Sequence, residues 1–120
     1  MTAPIFRRWT RAAPAALDVF ALATDDITAL GFYSTTRTIQ LQDMVSDPAP
    51  GAGVRYEIRL LKNGIPTGRS WFSNSLDPSS AGRVSVGPVD VLGPTNLNFD
   101  VAQRAGALAA YNFLTKFSGV

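Results

Sequence analysis

Apolar and polar residues alternate in three runs of the C-terminal half, Val54 to Lys62, Arg83 to Val91 and Asn96 to Gln103, each bounded by turn residues. A period of two is the signature of a strand with one buried face, and three such runs in one half predict a sheet. Within the first run Val54, Tyr56, Ile58 and Leu60 face one way and Arg55, Glu57 and Arg59 the other, up to Asn63-Gly64. Asn-Gly after an alternating strand signals a two-residue hairpin, because both residues tolerate the positive φ of a type I′ turn. Residues 65–76 are then expected to return antiparallel, with Trp71 or Phe72 inward.

Val84 and Val86 resume the alternation, Gly87-Pro88 breaks or bulges it, Val89 and Val91 continue in shifted phase, and Gly93-Pro94 closes the strand. Leu97, Phe99 and Val101 point inward in the next strand, with Asn96, Asn98 and Asp100 outward. A turn near Ala105-Gly106 leads to a last strand in which Tyr111, Phe113, Thr115 and Phe117 alternate. A helix over residues 100–116 competes, since the stretch is alanine-rich and Val101, Ala105 and Leu108 have helical spacing. The expected core is Tyr56, Ile58, Leu60, Leu97, Phe99, Val101, Phe113 and Phe117.

Towards the N-terminus the pattern weakens. Tyr33, Thr35, Arg37, Ile39 and Leu41 share one face of a predicted strand rich in β-branched residues. Residues 15–30 fit either period, and a strand followed by a turn at Thr24 to Asp26 is favoured. Asp47 to Gly53 and Asp77 to Gly82 are loops, because proline and glycine supply neither ladder donors nor side chains to pack. Residues 1–14 hold Pro4 and Pro14, with Phe6 and Trp9 interleaved with Arg7, Arg8 and Arg11, and are expected to form a basic, aromatic arm ahead of a sandwich domain over 15–120.

The runs YEIRLLKNG, GRVSVGPVDVL, GPTNLNFDVAQRAGAL and TKFSGV resemble, in this order, the second half of a C1q/TNF-like jelly roll. The resemblance covers residues 54–120 and is one of strand and turn pattern. Similar single jelly rolls build virus capsids, pentons and spikes, and a short basic arm before the roll is similar to what many capsid proteins carry. The resemblance implies an all-β antiparallel sandwich, a single jelly roll, with an assembly role.

Composition narrows the chemistry. At 120 residues, 46% apolar and 17% charged, the chain suits one globular domain with a single core. It has no histidine, no cysteine and one glutamate, so a Ser-His or Cys-His pair and a thiolate or imidazole zinc set are excluded. Glu57, flanked by Arg55 and Arg59, is expected to be a cross-strand charge partner. Asp25, Asp26, Asp43 and Asp47 match no calcium-loop spacing and are expected in turns or caps. The GAG at 51–53 lacks the lysine and helix of a phosphate loop. No window is apolar over the roughly 18 residues of a spanning helix, and no secretory leader pattern opens the chain.

Arg7, Arg8 and Arg11 are three of the 11 basic residues, leaving eight basic against nine acidic beyond position 11. The positive excess lies in the arm. Ile5, Phe6, Arg7, Arg8, Trp9 and Arg11 are therefore the expected contact residues, docking on a neighbouring subunit, pairing with nucleic-acid phosphates or lying on a membrane surface. These features point to a non-enzymatic structural protein of a virion, assembled in a host cytoplasm as a homo-oligomer with other virion proteins, with no cofactor, metal or small-molecule substrate. The alternatives are a trimeric C1q/TNF-like ligand- or receptor-binding head, and an RNA-phage-type coat with a C-terminal helix.

Overall fold

The computed structural model describes residues 4–26, 32–47, 50–51, 53–73, 83–84, 86–87, 89–91 and 93–119. The expected loop at 77–82 and parts of the one at 47–53 lie outside the described residues. Among the described residues the chain is all-β: β1 (Ile5–Arg11), β2 (Ala21–Leu22), β3 (Thr24–Asp25), β4 (Tyr33–Thr35), β5 (Ile39–Ser46), β6 (Arg55–Lys62), β7 (Ile65–Phe72), β8 (Arg83–Val84), β9 (Val89–Val91), β10 (Thr95–Ala105) and β11 (Tyr111–Gly119). They pair as two antiparallel sheets. Sheet A runs β3-β1-β11-β5, with β8 and β9 both on the far side of β5. Sheet B runs β10-β6-β7, with β2 and β4 both on the free side of β10. The sheets pack face to face as an antiparallel β-sandwich, the expected fold class.

Alternation decides which side chains meet between the layers. Leu97, Phe99 and Val101 of β10, Tyr56, Ile58 and Leu60 of β6, and Phe113 and Phe117 of β11 are all buried. Trp9 lies edge-on to Phe99 at 5.1 Å between ring centroids, and Phe99 edge-on to Phe113 at 5.5 Å, geometries that favour aromatic pairs. Tyr56 stacks on Tyr111 at 4.4 Å. Residues 100–116 are not helical, because the rings at alternate positions of β11 are drawn into this core and the backbone pairs with β1 and β5 along its length.

The hairpin forms as its turn residues require. Lys62 faces Ile65 across Asn63 and Gly64, whose φ angles are 53° and 79°. The tip is tied down, since the Asn63 N–H donates to the Asn96 carbonyl at 2.7 Å and Asn63 Oδ1 accepts the Asn96 N–H at 3.0 Å.

Four expectations change. Residues 5–11 are not an arm ahead of the sandwich but a strand within it, paired with β11 from Ile5↔Phe117 to Arg11↔Tyr111 and with β3 at Trp9↔Asp25. Ile5, Arg7, Trp9 and Arg11 face inward; Arg11 is held by hydrogen bonds to three backbone carbonyls, and Arg7 by an ion pair with Asp25 and the Tyr33 ring, its Nε and Nη1 making no hydrogen bond among the described residues. Residues 33–41 are not one strand: the chain bends at residues 36–37, with the Thr35 hydroxyl donating to the Arg37 carbonyl at 2.8 Å, and passes from sheet B to sheet A. Residues 15–26 supply two two-residue strands in different sheets instead of one strand and a turn. Asn98 and Asp100, expected outward in solvent, are buried, Asp100 by its pairing with Arg59 at 2.8 Å from Nε to Oδ1.

Candidate functional site

Residues 5–11 carried the expected contacts, and the structure spends most of them internally. Arg7 pairs with buried Asp25 at 3.4 Å and lies over the Tyr33 ring at 4.3 Å. Arg8 pairs with Asp26 at 2.8 Å and with Asp47 at 3.5 Å. The Arg11 guanidinium donates to the backbone carbonyls of Val101, Ala12 and Val19 at 3.0, 2.6 and 3.4 Å. Trp9 is fully buried, and its indole N–H donates to Thr115 Oγ1 at 3.0 Å. A buried guanidinium held by carbonyls cannot also neutralise a phosphate on the surface. Phe6, at 61% exposure, and half-exposed Arg8 are what the strand presents outward, beside Leu114 and Lys116 of β11.

The two long sides of the sandwich differ. On one, β2 and β3 carry the chain from sheet B to sheet A, and Arg11 of sheet A bonds a carbonyl of β10 in sheet B, so the layers are stapled together. On the other, β9 and β7 part and leave a cleft of about 510 Å³ lined by Gln40, Leu60, Leu61, Lys62, Thr67, Arg69, Val89, Asp90 and Val91. That volume is within the range of small-molecule sites. The Thr67 hydroxyl donates to the Leu60 carbonyl at 2.9 Å and fixes β7 against β6 there, while Gln40 Nε2 donates to Asp90 Oδ1 at 3.0 Å. Among the described residues, the Lys62 and Arg69 side chains make no ion pair, hydrogen bond or ring contact. Sequence reasoning did not single out this cleft; the available signal was two cations flanking the Asn-Gly turn.

Glu57 is a cross-strand charge partner, accepting from Arg104 Nε and Nη2 at 2.9 and 2.8 Å. Arg59 and Arg104 both stack on Phe20, at 3.7 and 5.1 Å, and clasp residues 18–20 against sheet B. The pKa of each guanidinium is raised, Arg59 by its hydrogen bond to Asp100 and Arg104 by those to Asp18 and Glu57. Burial pushes the Tyr111 phenol up to about 12, opposed by its hydrogen bond with Ser46, and raises Tyr56 as well. Among the described residues no three His, Cys, Asp or Glu side chains gather as a metal site, and Asp25 and Asp26 are engaged by Arg7 and Arg8. No protein-family model matches this chain, and no curated protein matches its sequence.

Proposed function

We propose that the protein is a non-enzymatic building block of a virion, a single jelly roll that works by assembling with copies of itself and with other virion proteins. The observation that carries this reading is the pairing order, β1-β11-β5-β8/β9 in one sheet opposite β4-β10-β6-β7 in the other. Successive strands cross between the layers except at the β6–β7 hairpin and at β8–β9, and the last strand is inserted beside the first. Two interlocked Greek keys give that order, and jelly rolls of this kind serve as viral capsid and lectin domains. The strand-and-turn pattern of residues 54–120 supports the same reading independently.

Assembly in this proposal proceeds through sheet faces, to which β1 contributes as a strand and not as a free arm. Phe6 and Leu114 leave apolar surface on the outer face of sheet A, and Leu17, Val19 and Leu22 do so along the segment that wraps sheet B. Burying such surface between copies contributes roughly 25 cal/mol per Å². Sedimentation velocity of the full chain tests this: oligomers should grow with concentration across the micromolar range, and Phe6→Glu with Leu114→Glu should reduce them while circular dichroism stays unchanged. A monomer at every concentration up to about 100 μM, where even weak interfaces are populated, overturns it.

A ligand-binding head remains the second reading, favoured by the open cleft between β7 and β9. A trimer that grows no further would select it. The coat with a C-terminal helix is not proposed, since residues 95–105 and 111–119 are strands.

A further inference from the structure

The cleft between β7 and β9 combines features found together nowhere else among the described residues. Most described arginines elsewhere are spent on partners of the chain itself: Arg7 on Asp25, Arg8 on Asp26 and Asp47, Arg11 on carbonyls, Arg59 on Asp100, and Arg104 on Asp18 and Glu57, whereas exposed Arg37 has no such side-chain partner among the described residues and does not line the cleft. Arg55, instead, stacks on Phe72 at 3.8 Å. Lys62 and Arg69 depart from that habit, and both line the one cleft. Its single carboxylate, Asp90, is already held by Gln40, so the cleft carries a net positive charge. The walls mix polar groups of Gln40, Thr67 and Asp90 with aliphatic surface of Leu60, Leu61, Val89 and Val91.

We propose that this cleft binds a small hydroxylated carboxylate, an acidic sugar, with its carboxylate between Lys62 and Arg69. A guanidinium presents a planar fork that matches a carboxylate, and a nearby ammonium adds a point charge. The Asp90 carboxylate and the Gln40 amide accept from and donate to ring hydroxyls, which a purely aliphatic acid would leave unpaired. The C–H face of the sugar covers the valine and leucine wall. The site lies wholly within one chain, so it stands or falls apart from the assembly reading.

Saturation-transfer-difference NMR on the full protein with sodium glucuronate tests this at any particle size, with glucose and inorganic phosphate as comparison probes at matched ionic strength. Saturable transfer to glucuronate is expected with a Kd of about 1 mM, typical of weak single-sugar sites. Lys62→Gln and Arg69→Gln should each weaken it about tenfold, the loss of one charge-assisted bond, and both side chains are outside the core, so circular dichroism should not change. Asp90→Ala, which removes a hydroxyl partner together with the opposing charge, should lower the preference for glucuronate over phosphate. Absence of saturable transfer to about 50 mM, equal binding of glucose, equal binding by the Gln variants, or phosphate binding without glucuronate binding would each overturn the proposal.

Discussion

Trp9→Ala is the substitution that most sharply separates a strand from an arm. Trp9 is fully buried, with its ring edge-on to Phe99 at 5.1 Å and stacked near Phe113 at 6.4 Å. Truncating such a ring removes about 3–5 kcal/mol, transfer and cavity together. The lost indole hydrogen bond to Thr115 Oγ1, at 3.0 Å, adds about 1 kcal/mol. Thr115 keeps its own bond to the Arg7 carbonyl at 3.3 Å, which holds that increment down. The expected loss is therefore about 4–6 kcal/mol, against a total of about 5–15 kcal/mol for a domain. With a urea m-value of about 2 kcal/mol/M the midpoint should fall by roughly 2–3 M. Trp9→Phe, which keeps a ring but not the donor, should cost about 1–2 kcal/mol. Far-UV circular dichroism and the fluorescence of Trp71, whose indole is anchored separately on the Val86 carbonyl at 3.1 Å, follow both transitions. A loss below about 1 kcal/mol for Trp9→Ala would mean that residues 5–11 detach without cost and that β1 is not part of the fold.

Arg11→Met keeps the length of the side chain but deprives three carbonyls of their donor, and should destabilise by about 2–4 kcal/mol in urea titration; a neutral result would show that the staple between the sheets carries no energy. Gly106→Ala should cost more than Gly64→Ala, although both glycines have positive φ, because a Cβ at Gly106 would lie 2.8 Å from Val54 Cγ2 while one at Gly64 meets nothing within 4 Å. Thermal melts of the pair rank them, and equal shifts would refute the close approach. The Tyr111 phenol ionises only near 12, above the 10.0 of a free tyrosine, so its contribution is complete below about pH 10 and lost as pH rises towards 12. Ultraviolet difference titration should show Tyr111 ionising last, after raised Tyr56 and together with unfolding, and Tyr111→Phe should remove that last step.

Strands β6 and β10 were legible in the sequence because the inward positions Tyr56, Ile58 and Leu60, and Leu97, Phe99 and Val101, are apolar and a sharp turn signal, Asn63-Gly64, fixes the register of the hairpin. Strand β11 was legible for a similar reason, four alternate positions from Tyr111 to Phe117. Strand β1 hid in plain alternation: Ile5, Arg7, Trp9 and Arg11 share its inward side, but two arginines there look like a solvated, phosphate-seeking segment until their acceptors are known. Those acceptors, Asp25 and the carbonyl of Val101, are fixed by the fold and by nothing local. Tyr33 to Leu41 keeps its alternation while changing sheets, so periodicity alone cannot find the break at residues 36–37. The cleft was invisible for the same reason, since its walls come from β5, β6, β7 and β9 and meet only once both sheets exist.

Electron microscopy of the purified full chain, in negative stain at concentrations from micromolar upward, bears most directly on the claim that this sandwich is an assembly unit. Closed particles of uniform size, or closed rings, are the result that the proposed assembly role predicts. A field of isolated monomers, under conditions where circular dichroism shows the sheet intact, would contradict it.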